Sequence, residues 1–118
     1  MIITEPTGHR WEMPISPGRT YSIGRAKESD ILLNDRRVSR KHAFITADAQ
    51  NYTLIDGFVE NGQLNRSVNH VFINGNMQLE CVLADGDVMT IGESTLEFKT
   101  VAAVAEPAFA AKQEEIID

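Results

Sequence analysis

The residues best suited to chemistry lie in one basic stretch, residues 34–42, which reads Asn-Asp-Arg-Arg-Val-Ser-Arg-Lys-His. It contains four cations, Arg36, Arg37, Arg40 and Lys41, with one serine, Ser39, among them. The stretch has no hydrophobic period of two or 3.6 residues, and it lies between the apolar runs 31–33 and 43–45. A charged loop between two buried strands can hold donors in fixed positions. We therefore interpret it as one wall of an anion site, best suited to a phosphorylated side chain.

Two polar residues outside this stretch could complete the site. Arg25 follows Gly24 at the predicted end of a strand, and its guanidinium offers a planar fork of donors that can grip a phosphate in bidentate fashion. Asn69 offers both an amide donor and a carbonyl acceptor. Together with Ser39 and Arg40, these residues would fit a phosphate flanked by an extended peptide backbone.

Motifs for catalysis or metal binding are not evident in the sequence. His9, His42 and His70 are widely and irregularly spaced, and no P-loop, paired-cysteine or Gly-x-Ser-x-Gly pattern occurs. Ser39 and His42 stand three residues apart and could form a nucleophile–base pair, but no third group is evident. The sequence predicts a protein that is not an enzyme and needs no metal or cofactor.

Charge and composition narrow the partners further. The chain is 42% hydrophobic and 24% charged, with a formal net charge of −6. The acidic total argues against nucleic acid and anionic lipid as partners, so the basic stretch suits a small anionic target. Cys81 is the single cysteine, and there is no apolar run long enough to span a membrane and no signal peptide pattern. We expect a cytoplasmic protein, with a monomer favoured.

The elements that must position these residues are short strands. Ten segments alternate or are β-branched, at intervals of about 8–12 residues, and they end at Gly, Pro, Asn or Asp. The predicted strands are 1–4, 10–15, 20–24, 31–33, 43–47, 52–56, 71–74, 77–83, 88–91 and 95–100. Residues 57–69 form a long polar loop in this interpretation, and the register of 52–56 stays open. Ten to eleven strands without a convincing helix indicate an all-β sandwich or barrel.

Residues 101–118 differ from the rest of the chain. Alanine dominates there, Pro107 divides the segment, and one Lys against four acids gives −3. A helix of about ten residues is marginal alone in water. We predict a β domain over 1–100, followed by a flexible or partly helical acidic tail or linker over 101–118.

Taken in order, the motifs resemble the forkhead-associated (FHA) domain over residues 20–98. They are Gly24-Arg25, Ser39-Arg40-Lys41-His42, Asn69, the run 71–75 with Asn74-Gly75, Asp85-Gly86-Asp87 and Ile91-Gly92. The resemblance implies a β-sandwich of two mostly antiparallel sheets, with binding loops at one end that read phosphothreonine in a partner protein or peptide. It therefore implies a phosphopeptide-binding interaction module in Ser/Thr kinase signalling, without catalysis.

The resemblance also implies residue roles. Arg25 would contact the phosphate, the peptide backbone or both, Ser39 would donate to the phosphate, Arg40 would add a charged contact, and Asn69 would hold the peptide main chain. Gly24 and His42 would support the site loops. The peripheral candidates are Lys41, Arg36, Arg37, Arg66 and Ser67.

One loop departs from the family pattern. Residues 67–70 read Ser-Val-Asn-His, where the family often has Ser-Thr-Asn-Gly. Val68 lacks a hydroxyl, and His70 replaces a residue with greater backbone freedom. Losing one neutral hydrogen bond costs about 0.5–1.5 kcal/mol, so we expect weakened binding, for which Arg66, Arg36, Arg37 or a protonated His70 could compensate. The departure also motivates an alternative, a phosphate-independent interaction or oligomerisation domain with a degenerate phosphate site.

Overall fold

Short strands and tight turns make up the whole described part of the protein. A computed structural model describes residues 1–99, and the segment 101–118, predicted as a tail, lies outside the described residues. The strands are β1 (Ile2–Thr4), β2 (Arg10–Glu12), β3 (Thr20–Gly24), β4 (Ile31–Leu32), β5 (Ala43–Ala47), β6 (Tyr52–Asp56), β7 (Phe58–Glu60), β8 (Gln63–Asn65), β9 (Val71–Ile73), β10 (Asn76–Met77), β11 (Glu80–Val82), β12 (Val88–Ile91) and β13 (Ser94–Glu97). Within residues 1–99 no helix is long and apolar enough to cross a membrane.

The strands form two main sheets. The six-stranded sheet has the order β10-β9-β12-β13-β1-β2, and the five-stranded sheet has the order β11-β6-β5-β3-β4. Strands β3 and β4 pair in parallel, whereas the other pairs are antiparallel. The predicted β-sandwich of mostly antiparallel sheets is therefore confirmed.

The core lies between the two sheets and follows their two-residue side-chain period. In β5 the residues Ala43, Ile45 and Ala47 are buried and alternate with half-buried neighbours. The register of β6, open from the sequence, is set by pairing of Ile45 with Leu54, so that Leu54 is fully buried. The six-stranded sheet contributes Ile3, Met89 and Leu96, among others, to the same buried cluster. The alternation leaves the strand ends and their loops free to form a site.

Several predicted hairpins are present. Strands β1 and β2 pair as expected, and β9 and β10 pair across Asn74-Gly75. Asn74 and Gly75 have φ angles of 51° and 87°, the left-handed values that a primed two-residue turn requires. The Asn-Gly signal was sufficient there because apolar strand residues precede it.

Three sequence expectations need correction. The described residues hold thirteen strands rather than ten to eleven. The predicted loop 57–69 contains the β7–β8 hairpin, closed by Asn61 and Gly62 at φ 52° and 75°. Its polar strand residues hid the alternation on which the prediction relied. The predicted strand 77–83 is divided after Met77 because β10 belongs to one sheet and β11 to the other.

Candidate functional site

Three loops meet at one end of the sandwich, and Gly24 sets how closely they approach. The backbone N–H groups of Arg25 and Ala26 donate to the carbonyl oxygens of Ser39 and Arg40 at 3.1 Å each. This pairing joins the loop after β3 to the loop before β5. A Cβ on Gly24 would collide with the carbonyl oxygen of Arg40. Only glycine therefore fits at the residue before Arg25.

Arg25 is exposed, but its guanidinium is oriented. Its Nε–H donates to the carbonyl oxygen of Val38 at 3.0 Å. That bond uses one of the five guanidinium donors and holds the planar group at the edge of a groove that Ser39 also lines. The arrangement brings together the two residues that the sequence placed fourteen positions apart.

Ser39 has its backbone and side chain in different hydrogen bonds. Its N–H donates to Nδ1 of His42 at 3.0 Å, so this N–H is not available to an anion. Its Oγ accepts from the N–H of Val68 at 3.3 Å. Because a hydroxyl has one proton and two lone pairs, that bond leaves the Ser39 proton available for an anion.

His42 is fully buried beneath the site and joins two of its loops. Because Nδ1 accepts from Ser39, the proton of the neutral ring must lie on Nε2, which donates to the carbonyl oxygen of His70 at 2.7 Å. Burial lowers the pKa of His42, although the carbonyl of His70 and the nearby Asp56 and Asp35 oppose the shift. A neutral imidazole therefore holds the loops together near neutral pH.

A second layer of hydrogen bonds supports residues 67–70. The buried carboxylate of Asp56 accepts from the N–H of Ser67 through Oδ1 at 3.0 Å, and Ser67 Oγ accepts from the N–H of His70 at 3.0 Å. Asp56 Oδ2 has no hydrogen-bond partner among the described residues, and His70 Nδ1 lies 3.9 Å from it. His70 has a φ of 65°, which glycine would adopt without strain.

The side chain of Asn69 contacts the basic stretch but does not line the groove. Its Nδ2 donates to the carbonyl oxygen of Arg37 at 2.7 Å, and it is not among the groove-lining residues. Its carbonyl Oδ1 and the second N–H of Nδ2 remain to bind a peptide. Of the four main candidates, Arg25, Ser39 and Arg40 line one groove, and Asn69 lies beside it.

Residues 34–37, the first half of the basic stretch, are directed away from the groove. Arg37 Nε lies 3.0 Å from Glu93 Oε2, and Arg36 lines a separate depression that also includes Glu93. The buried Asp35 anchors this half by accepting from the N–H groups of Arg37 and Glu93 and from Ser94 Oγ, at 2.8–2.9 Å. Burial opposes ionisation of Asp35, but these hydrogen bonds outweigh it and hold the pKa of its carboxyl below the ordinary value.

The groove itself carries a positive charge on an acidic protein. It is lined by Arg25, Glu28, Ser39, Arg40, Lys41, Phe58, Glu60, Arg66, Ser67 and Val68. Its four cations and two carboxylates give a formal charge of +2, against −6 for the whole chain. Arg66 also has a structural role, because its guanidinium donates to the carbonyl oxygens of Asp56 and Leu79 at 3.0 Å each. The groove is therefore suited to an anion.

Three groove residues and the anchor were not singled out individually from the sequence. Glu28 and Glu60 give no motif, and Phe58 was assigned to a polar loop although the Asn61-Gly62 pair could have indicated the hairpin that presents it. Asp35 was not predicted to anchor the basic stretch. Within residues 1–99 there is no group of three or more His, Cys, Asp or Glu placed to hold a metal ion.

Comparison with known proteins gives a consistent match. The model of the FHA domain family matches residues 21–92. Over 98 residues the chain is 36% identical to an ABC transporter ATP-binding/permease protein of Mycobacterium tuberculosis, covering 83% of this chain and 10% of the transporter. It is 35% identical over 81 residues to the glycogen accumulation regulator GarA of Mycolicibacterium smegmatis, covering 69% of this chain and 46% of that protein.

A solved structure from work on phosphothreonine-dependent FHA domain interactions superposes with a TM-score of 0.65 at 29% identity, covering 84% of this chain and 94% of the other. The chain thus spans less than half the length of these two curated relatives, but nearly all of the solved domain.

Proposed function

The chain belongs to the FHA domain family, and we propose on that basis that it binds phosphothreonine-containing segments of a partner protein in Ser/Thr kinase signalling. One observation carries the proposal. Arg25 and Ser39, fourteen residues apart, line one groove of formal charge +2 on a chain of charge −6. A dianionic phosphate complements such a groove.

The phosphate would be held by charge-assisted hydrogen bonds. The Arg25 guanidinium, oriented by its bond to Val38, donates from one side, and the Ser39 hydroxyl donates from the other. Hydrogen bonds to charged groups contribute about 1.5–3 kcal/mol each. Arg40 adds a further cation at the groove. Asn69 would bind the peptide main chain through Oδ1 as an acceptor and through the second N–H of Nδ2, since the first N–H donates to the carbonyl oxygen of Arg37.

The departure at residues 67–70 weakens this site without removing it. Val68 is 79% exposed and offers no hydroxyl, so one neutral bond of about 0.5–1.5 kcal/mol is missing. Its N–H nevertheless bonds to Ser39 Oγ, and His70 accepts from His42 in a left-handed conformation. The loop is therefore held in place despite both substitutions. This geometry favours phosphate-dependent binding over the phosphate-independent alternative.

The site is also unsuited to catalysis by a serine–histidine pair. Nδ1 of His42 accepts from the Ser39 N–H, and Nε2 donates to the His70 carbonyl. Neither ring nitrogen is available to take the Ser39 hydroxyl proton. This supports a binding module that is not an enzyme. We further propose that it acts as a monomer in the cytoplasm, as the single Cys81 favours a reducing compartment.

A titration with a phosphothreonine peptide library and its unphosphorylated twin tests the proposal. We expect binding of the phosphorylated set only, and a loss of about tenfold or more in Arg25→Ala. The matched control is Arg37→Ala, because Arg37 pairs with Glu93 outside the groove. Equal binding of both peptide sets, or an unchanged affinity in Arg25→Ala, would contradict the proposal and favour the phosphate-independent alternative.

A further inference from the structure

Beneath the loop 67–70 lies a buried carboxylate that is only half satisfied. Asp56 is fully buried. Its Oδ1 accepts from the Ser67 N–H at 3.0 Å, whereas its Oδ2 has no hydrogen-bond partner among residues 1–99. Buried polar atoms in folded proteins are nearly always hydrogen-bonded. His70 Nδ1 lies 3.9 Å from Oδ2, just beyond hydrogen-bond distance, so a small rotation of the His70 ring would supply the missing donor.

The ring of His70 can rotate while its backbone stays fixed. The His70 N–H donates to Ser67 Oγ, and its carbonyl oxygen accepts from His42 Nε2. The side chain is 46% exposed, so its imidazole can exchange protons with solvent while it lies against Asp56. Imidazole is the side-chain group that ordinarily changes charge near neutral pH. A proton on this ring would turn the contact with the carboxylate into a charge-assisted hydrogen bond.

The other charged groups around the loop do not neutralise the Asp56 carboxylate. They are Arg37 and His42 from the basic stretch, Arg66 from the preceding segment, and Asp35 and Glu93, which contact Arg37. The guanidinium of Arg66 donates to backbone carbonyl oxygens, that of Arg37 is paired with a carboxylate, and His42 is a buried neutral ring. Within residues 1–99, His70 is thus the one cation-forming side chain within 4.0 Å of this carboxylate.

Closing the contact would fix the part of the loop that meets the ligand. Ser67 and His70 are the ends of the loop, and the Asp56 carboxylate would then hold both. Between them, the Val68 N–H bonds to Ser39 Oγ in the groove. A phosphothreonine dianion in the groove would also favour a cation on this loop, because opposite charges attract. Ligand and proton therefore favour the same closed loop.

We infer that His70 is a positioning residue for the phosphopeptide: its imidazole takes up a proton from solvent, closes on Asp56 and holds residues 67–70 against the bound ligand. The inference rests on the proposed phosphopeptide binding. Peptide binding and proton uptake are then linked, and each strengthens the other. The affinity that His70 contributes is present where its ring is protonated and is lost as pH rises.

His70→Asn tests the inference. The asparagine Nδ2 can take the position of Nδ1 and donate to Asp56, and asparagine tolerates the φ of 65°, but it cannot take up a proton. Calorimetry measures the affinity of both proteins for one phosphothreonine peptide from the library at pH 8 and pH 6. The two should agree within about twofold at pH 8, and the parent should bind about fivefold more tightly at pH 6. Titration of the phosphate itself, with a second pKa of about 6, cancels in this comparison.

A count of protons gives a second measurement. Calorimetry at pH 7 in two buffers of different ionisation enthalpy should show that the parent takes up more protons on peptide binding than His70→Asn does. The matched control is His9→Gln, because His9 is exposed in the turn between β1 and β2 and does not line the groove. It should match the parent in both measurements, and thermal unfolding checks that both variants are folded.

Two outcomes are decisive. An affinity ratio between parent and His70→Asn that is the same at both pH values, with equal proton uptake, overturns the inference while phosphopeptide binding stands. Failure of the parent to bind the phosphorylated peptide more tightly than its unphosphorylated twin overturns the proposed function, and the inference with it.

Discussion

The two halves of the basic stretch, residues 34–37 and 38–42, each contain two cations but have different roles. In the first half, Arg37 is paired with Glu93, and Asp35 bonds to the turn between β12 and β13. In the second half, Ser39, Arg40 and Lys41 line the positively charged groove. The difference lies in the available partners, because the first half faces a carboxylate and the second faces an open groove. A cluster of cations therefore indicates a site only where neighbouring carboxylates leave it uncompensated.

The largest effect on stability should come from displacing the backbone of the second half, which lies against Gly24. Gly24→Ala should lower the free energy of unfolding by about 3 kcal/mol, because the added methyl group collides with the backbone of Arg40, which cannot rotate away. Chemical denaturation measures this. Gly18→Ala is the control, since a Cβ there meets open space and only its φ of 83° is unfavourable. A similar loss in both variants would show that close approach does not seat the loop.

The next effect concerns the anchor of the first half. Asp35→Asn places an amide N–H₂ against donors from Arg37, Glu93 or Ser94, and should lower the unfolding free energy by about 2 kcal/mol. Asp30→Asn is the control, because Asp30 accepts from Ser22 at the exposed surface and should change stability by less than about 0.5 kcal/mol. An equal loss of unfolding free energy in the two variants would show that Asp35 does not anchor the first half.

A smaller effect separates the halves by function. Ser39→Ala should weaken phosphothreonine-peptide binding about tenfold, since one hydrogen bond to a charged group is lost. Arg36→Ala should change affinity by less than about twofold, because Arg36 does not line the groove. Calorimetry at fixed salt compares them. A larger loss in Arg36→Ala than in Ser39→Ala would reverse the assignment of the two halves.

The strands and turns that the sequence predicted correctly are those that local residue patterns encode. Alternating apolar residues predicted the strands of both sheets, and Asn74-Gly75 predicted a hairpin that the structure confirms. The same turn signal at Asn61-Gly62 was overlooked because Glu60 and Gln63 next to it are polar. A hairpin that packs on neither sheet core needs no apolar alternation. Its presence could be inferred only from the turn.

The unpredicted part of the site depends on distant contacts. Asp35 bonds to residues 58 and 59 positions away, and nothing within the stretch distinguishes it from a solvated aspartate. The pairing of Arg37 with Glu93 has the same origin. Similarly, the Ser39 N–H donates to the ring of His42, and no pattern in the sequence indicates the direction of that ring. Tertiary partners decide which donors remain free.

The finest distinction between the halves should appear in the pH dependence of stability. The pKa of His42 is lowered in the folded protein from 6.5, and that of Asp35 is lowered from 3.8. In both cases the unfolded chain binds the proton first, so stability is fully present above the unfolded value and is lost as pH falls below it. The second half should therefore weaken below about pH 6.5 and the first only below about pH 3.8.

Urea midpoints measured between pH 8 and pH 3 can resolve these windows in a His70→Gly background, which removes the other histidine of the network and suits the φ of 65°. His42→Gln in that background should reduce the upper decline, and Asp35→Asn should reduce the lower one. The pKa of the Met1 amino group is also lowered by burial, and its contribution to the upper decline should remain in the variant. His9→Gln serves as the control because His9 is exposed. An upper decline that is the same size with and without His42→Gln would mean that the neutral imidazole does not hold the two site loops together.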